Sequence, residues 1–490
     1  MKNFLISAYR SVFNQTGAVK RAKKRLLNAT NQKSRFLICI PYLKSGGAER
    51  VVANICTVLA EKYGPDSVTI LVTDWNSLVV RMLFPENTSN NYPKNIKFVD
   101  VTSLSHASYD DRVWSLLLAI KNLQPEMIFN VNSLLLWECL ERFAPELQSG
   151  TRIGTVAFSH CVNKGGREIG YTATHLERML PYLNFVLSDN KTYIEYLTSF
   201  LVKVPVTEKV LTKKQWHLAK IASKKMSYAD REMFDMTDDF SGQPPSKVDW
   251  MVAKQVSRVI EKDLSVKDIE KFKVIYQPAP TTKEKSFAQK ENKRPQIMWA
   301  SRVTRQKFPE ILPHIAMLLP NCDIHVYGAR EIGYIFPLLT RAFLRGADLG
   351  GNIEKMPNIF WHGGYRSFDS LPVNHFDAFL YTSLYDGLPN VLLEAAAARI
   401  PVVAPMVGGI SELINQATGW PVADVYNPLQ YAKAILGVLD NPDVAVQKSN
   451  ALVEVIAERH SYERFRENVL ELVGDAHERD VSLCALQIDK

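Results

Sequence analysis

The sequence predicts an α/β protein with two doubly wound parallel sheets. Three observations carry this expectation. Short apolar runs alternate with helical patterns along most of the chain. A polar, Pro- and Lys-rich stretch from Pro278 to Pro295 interrupts the alternation, as a linker between domains does. Between Phe376 and Leu413, one short segment holds a strand, loop, helix, strand, glycine loop and helix. With 490 residues, 46% of them hydrophobic, the chain can build two or three domains with large cores.

The elements justify this in order. Residues 1–34 form a basic amphipathic segment, with Phe4, Leu5, Ile6, Tyr9, Val12 and Phe13 on one helical face and cations from Lys20 to Arg25. The first domain spans 35–277. Its strands are Phe36–Ile40, Val68–Val72, Ile96–Val99, Met127–Asn130, Ile153–Ala157, Phe185–Leu187 and Phe272–Tyr276. Helical patterns lie between them, including Ala48–Glu61, Arg112–Leu123 and Leu134–Phe143. An insertion near 201–266 breaks the rhythm and contains a helical pattern from Val248 to Ile260. The second domain spans 278–455, with strands at Gln296–Ser301, Ile324–Tyr327, Ile359–His362, Phe376–Tyr381 and Val402–Ala404. A helix is expected over Phe308–Leu319. Three more helical patterns close the chain, and the last falls in a C-terminal segment, 456–490.

Charge and cysteine content exclude several classes. The net charge is +8, yet residues 1–35 alone carry nine Lys and Arg and no acid, which leaves the rest at about −1. The basic character belongs to a tail, so no nucleic-acid partner is expected. An apolar face followed by cations suits an anionic membrane surface; a helix packed on the body, or a disordered tail, is the alternative. Ser7, Arg10 and Asn14 interrupt any signal-peptide core, and no apolar run is long enough to span a bilayer. Six scattered Cys without a C-x-x-C pair fit a reducing compartment and neither zinc nor a disulfide framework. The expected location is the cytoplasm, peripheral at the inner face of the membrane.

The loops hold the chemistry. In parallel sheets ligands bind at the carboxyl ends of the strands. Asp386-Gly387-Leu388 is such a loop, and Pro389 and Asn390 lead into a helix carrying Glu394. Backbone N–H groups at a helix start favour phosphate or sugar oxygens, and a carboxylate beside them can accept from paired hydroxyls. Arg302 and Lys307 lie in the loop after another strand. Gly46 and Gly47 precede the first helix, and His160 follows the strand Ile153–Ala157. Taken singly, each has a plain reading: a turn, a surface cation, a structural histidine. Ser188-Asp189 reads most simply as a helix cap.

Together these stretches resemble the retaining GT-B glycosyltransferases of family 4, glycosyltransferase group 1. Gly387, Pro389, Asn390, Glu394, Pro401, Val402, Val403, Gly408, Gly409, Ile410 and Glu412 fall in register with that family's donor-site motif. The run SRVTRQKFPEIL is similar to its second signature and GGAERVV to its first loop. One position departs: Asp386 stands where the family has the first Glu of a Glu-x7-Glu pair. The resemblance implies a GT-B fold, with two Rossmann-like domains facing across a cleft. It implies a nucleotide-sugar donor, UDP- or GDP-linked, and a saccharide or lipid-linked glycan acceptor, as in bacterial surface polysaccharide synthesis. Arg302 and Lys307 would hold the diphosphate and Glu394 the ribose. Asp386 and the backbone of Gly387, Leu388, Pro389 and Asn390 would orient the sugar, and Gly46 and Gly47 would face it from the other domain. His160 would lie near the reacting carbon. No cofactor or metal is required, since two cations can neutralise the diphosphate. Two other readings stay open: a nucleotide-sugar epimerase of the same fold, and a catalytically silent assembly partner, which Asp386 keeps alive.

Overall fold

The computed structural model describes residues 17–43, 46–73, 92–101, 109–158, 175–176, 178–202, 266–280, 294–329, 353 and 355–474. His160, most of the 201–266 insertion and residues 1–16 lie outside the described residues.

Two parallel sheets organise the chain. The first contains β1 (Phe36–Ile40), β2 (Val68–Val72), β3 (Lys97–Asp100), β4 (Met127–Asn130), β5 (Arg152–Val156), β6 (Phe185–Ser188) and β7 (Phe272–Val274), in the order β3-β2-β1-β4-β5-β6-β7. The second contains β8 (Gln296–Ala300), β9 (Asp323–Tyr327), β10 (Ile359–Gly363), β11 (Ala378–Leu380), β12 (Val402–Pro405) and β13 (Trp420–Val422), in the order β10-β9-β8-β11-β12-β13. Each order reverses at its first strand. The switch points therefore lie between β1 and β4 and between β8 and β11, where a crevice opens at the carboxyl ends.

Strand side chains alternate, so each sheet feeds two cores. Phe36, Ile38 and Ile40 join Val52, Ile55 and Leu59 of the helix Gly47–Tyr63 on one face. Leu37 and Cys39 join Leu116, Leu136 and Trp137 on the other. In the second sheet Ile297 and Trp299 face one cluster, and Met298 and Ala300 the other.

The helix Gly17–Ala29 packs on the first domain through Ala22 and Leu26, and Lys23 pairs with Asp111 at 2.7 Å. This is the packed-helix alternative for that part of the tail. Its cations Lys20, Arg21, Lys24 and Arg25 point outward and are exposed. Among the described residues, no helix is long and apolar enough to cross a membrane.

The two domains are tied at the crossover. His460 and Gln277 lie side by side: His460 Nδ1 is 2.6 Å from the Gln277 carbonyl, and the Ala279 N–H donates to the His460 carbonyl at 2.8 Å. The next helix, Tyr462–Val473, then buries Phe465, Val469 and Val473 in the core of the first sheet.

Candidate functional site

The site is built from two loops at the second switch point. The first runs from Ser301 to Phe308 after β8, and the second from Tyr381 to Pro389 after β11. They are zipped together by paired bonds. Leu384 donates its N–H to the Gln306 carbonyl at 2.8 Å, and the Thr382 hydroxyl donates to the Lys307 carbonyl at 2.6 Å. Trp299 Nε1 donates to Thr382 Oγ1 at 2.9 Å, so the loops are anchored into the sheet core.

This zipper brings Lys307 and Asp386 into direct contact. Both are buried, with 9% and 8% exposure, and they form an ion pair. Lys307 Nζ also donates to Tyr381 Oη at 2.7 Å, and that hydroxyl donates to Asp386 Oδ2 at 2.6 Å. The Ser383 hydroxyl adds a bond to the same oxygen at 3.2 Å. Among the described residues, Oδ1 receives only Gln306 Nε2, at 3.4 Å. Burial lowers the Lys307 ammonium's pKa, and the Asp386 charge opposes that shift. Burial and the same carboxylate hold the Tyr381 hydroxyl well above the ordinary phenol value, so it stays a donor. Arg302 is exposed at the mouth of the same loop, and its charge reaches Lys307.

The loop 386–390 then turns into the helix Asn390–Ala397, with Pro389 in extended backbone just before the first turn. Glycine is required at Gly387, because a Cβ there would overlap the carbonyl oxygen of Phe158 in the first domain. Phe158 is the last described residue before His160. Gly47 faces Asn390 across the same gap: a Cβ on Gly47 would stand 3.4 Å from Asn390 Nδ2. Glu394 lies buried one turn on and accepts from Arg50 Nη1 at 2.7 Å. Burial raises the Glu394 carboxyl's pKa, and Arg50 opposes the rise. Thus Arg302, Lys307, Asp386, Gly387, Leu388, Pro389, Asn390, Glu394 and Gly47 come to one cleft, with Gly46 at the helix start beside it.

Several residues of the cleft carried no readable role. In the sequence Arg50 is one cation inside GGAERVV, and its place one turn after a glycine loop is the signal for it. In the sequence Tyr381 reads as the last apolar residue of a strand. The expected cap at Ser188-Asp189 falls instead on Asn190, whose Oδ1 accepts from the Tyr193 N–H at 2.7 Å. Asp189 is buried and turned toward the other domain, where the Leu388 N–H bonds to it. Burial, helped by the negative charge of Asp386, pushes its carboxyl up to about 7. Glu412 reaches the same helix from the second domain. It accepts from both the N–H and the hydroxyl of Thr192 at 2.7 Å, and from the Tyr276 hydroxyl at 2.7 Å.

Similarity to known proteins falls on these elements. Residues 294–441 match the model of the family described as Glycosyl transferases group 1. An Escherichia coli O-antigen biosynthesis glycosyltransferase, WbnH, is 26% identical over 166 residues, 34% of this chain and 44% of that protein. The chain therefore matches somewhat less than half the length of this curated relative. Among solved structures, the sucrose-phosphate synthase of Thermosynechococcus elongatus superposes with a TM-score of 0.58 at 13% identity, covering 92% of this chain and 100% of that one. Anabaena HepE in complex with UDP and glucose gives 0.54 at 14% identity, covering 90% and 99%. The fold is GT-B: two Rossmann-like domains facing across a cleft.

Proposed function

We propose that the chain is a retaining glycosyltransferase that moves a sugar from a nucleotide-sugar to a saccharide or lipid-linked glycan in surface polysaccharide synthesis. The observation that carries this reading is the convergence of Arg302, Lys307, Asp386 and Glu394 on the second switch point, in the segment that matches the family model. The O-antigen assignment of WbnH and the UDP and glucose of the HepE complex support the substrate class.

In this reading Arg302 and Lys307 hold the diphosphate and Glu394 the ribose. Asp386 Oδ1 and the backbone from Gly387 to Asn390 orient the sugar. The bond between the anomeric carbon and the diphosphate oxygen breaks with its electron pair going to the phosphate. The acceptor oxygen bonds to that carbon from the same face, and its proton passes to the departing phosphate. Negative charge grows on the leaving group, so fixed cations stabilise the transition state more than the ground state. His160 is assigned to the reacting carbon through the resemblance alone. No metal enters the scheme, because the two cations serve the diphosphate. The exposed cations Lys20, Arg21, Lys24 and Arg25 support a membrane-borne acceptor at an anionic leaflet.

Arg302 is the clean probe, because it is exposed. Removing Lys307 would leave Asp386 buried without its counter-ion, a loss of about 3–5 kcal/mol of stability. The test is release of nucleoside diphosphate from UDP-, GDP-, ADP- and dTDP-sugars, with the product's anomeric configuration read by NMR. Arg302→Ala should lower kcat by about a hundredfold and the configuration should be retained. Inversion would reject the mechanism, and an Arg302→Ala variant as fast as wild type would reject the site. An epimerised sugar formed without acceptor would favour the epimerase reading.

A further inference from the structure

We infer that Tyr381 is a positioning residue for the transferase site. Its hydroxyl holds the Lys307 ammonium and the Asp386 carboxylate in one fixed triangle, and so fits the site to an Asp where the family pattern has a Glu. The inference rests on the reading of the cleft as a nucleotide-sugar site.

The geometry is specific. Tyr381 is fully buried just after β11, and its ring cannot be there for solvent contact. Its oxygen accepts from Lys307 Nζ at 2.7 Å and donates to Asp386 Oδ2 at 2.6 Å, and the third side is the Lys307–Asp386 ion pair. The phenol's one O–H is spent on Asp386, and its oxygen accepts from Lys307 and also interacts with the Ser383 hydroxyl. A carboxylate one methylene shorter than Glu stands further back from the cleft, toward the sheet. There it meets the phenol oxygen, which supplies a donor that a phenylalanine could not.

The triangle leaves two functional edges unspent. An ammonium has three N–H donors, and two of Lys307's go to Tyr381 and Asp386. Asp386 Oδ2 takes three donors while Oδ1 takes one long bond from Gln306. Both side chains keep 11% exposure, and among the described residues the third N–H of Lys307 and the weakly bonded Oδ1 of Asp386 have capacity to spare for a ligand. The pair is thereby desolvated and oriented before substrate arrives, which is the condition under which a fixed cation acts most strongly on developing charge.

The test is Tyr381→Phe in the full chain, assayed by nucleoside diphosphate release with the donor that turns over in the wild type. The variant should keep its KM for the donor within about twofold and lose about tenfold or more in kcat, the size expected for one bond to a charged group. Its pH profile should also move. Lys307 faces Asp386 and Tyr381 from the β11 loop and Arg302 from its own loop, with Asp189 behind Asp386. Losing the phenol oxygen removes an acceptor from a buried ammonium, so the alkaline fall in activity should shift to lower pH. A second variant tests the fit to Asp. Asp386→Glu should be impaired, and Asp386→Glu/Tyr381→Phe should lose less than the product of the two single losses, since the added methylene takes the space of the deleted oxygen. Unchanged kcat and pH profile in Tyr381→Phe, or simple multiplication of the losses, overturns the inference and leaves the transferase reading standing. A wild type that neither binds nor cleaves any nucleotide-sugar overturns that reading instead.

Discussion

At the scale of single residues, Lys307, Asp386 and Glu394 are buried charges that would be costly without their partners. Lys307 and Asp386 were legible in the sequence as a cation and a carboxylate in register with a motif. Their contact was not legible, because the partners lie 79 positions apart and only the zipping of two loops joins them. The same holds for Arg50 and Glu394, 344 positions apart. Asp189 shows the cost of such an environment. Its folded carboxyl titrates near 7, against about 3.9 for an ordinary Asp. Between those values the folded state holds a proton that the unfolded state has released, so stability falls as pH rises through that window. Asp189→Asn removes the proton exchange but keeps an oxygen for the Leu388 N–H. The variant should gain in melting temperature relative to wild type as pH rises from about 4 to about 7. Parallel melting curves across that range would show that Asp189 is not held in its neutral form.

At the scale of elements, periodicity located the buried strands well, because strands covered on both faces read as unbroken apolar runs. It failed where backbone chemistry intervened. The helix expected from Phe308 begins only at Leu312. Phe308 is left-handed, with φ of 48°, and Pro309–Ile311 form a tight turn, since a residue before proline avoids the helical region. Strand β13 went unread because Pro421 lies inside it; proline is tolerated there because β13 is the edge of the sheet. The helix Gly17–Ala29 reads both ways, since its apolar stripe seats on the protein and its cations face out. Each exposed cation near an anionic leaflet contributes about 1 kcal/mol. Reversing Lys20, Arg21, Lys24 and Arg25 to Glu should therefore cut binding to phosphatidylglycerol vesicles by at least roughly a thousandfold at low salt. Equal binding by wild type and variant in co-sedimentation would remove the membrane from the account.

At the scale of the whole molecule, the architecture explains why the cleft contacts join two domains. The chain crosses out at Gln277 and back at His460, and these crossings are bonded to each other. The loop of Gly387 meets Phe158, Gly47 meets Asn390, Glu394 meets Arg50 and Glu412 meets Thr192, so a ligand between the domains would be held by both. The central claim is that the second domain binds a nucleotide-sugar through the loops at its switch point. Its most direct test is thermal unfolding of the full chain against UDP-, GDP-, ADP- and dTDP-sugars, with Arg302→Ala beside the wild type. One donor at 100 times its dissociation constant should stabilise the wild type by about 2.7 kcal/mol, and the same concentration should do much less for the variant. No stabilisation by any donor, or equal stabilisation of both proteins, would contradict the claim; the first of these would favour a silent glycosyltransferase-like partner.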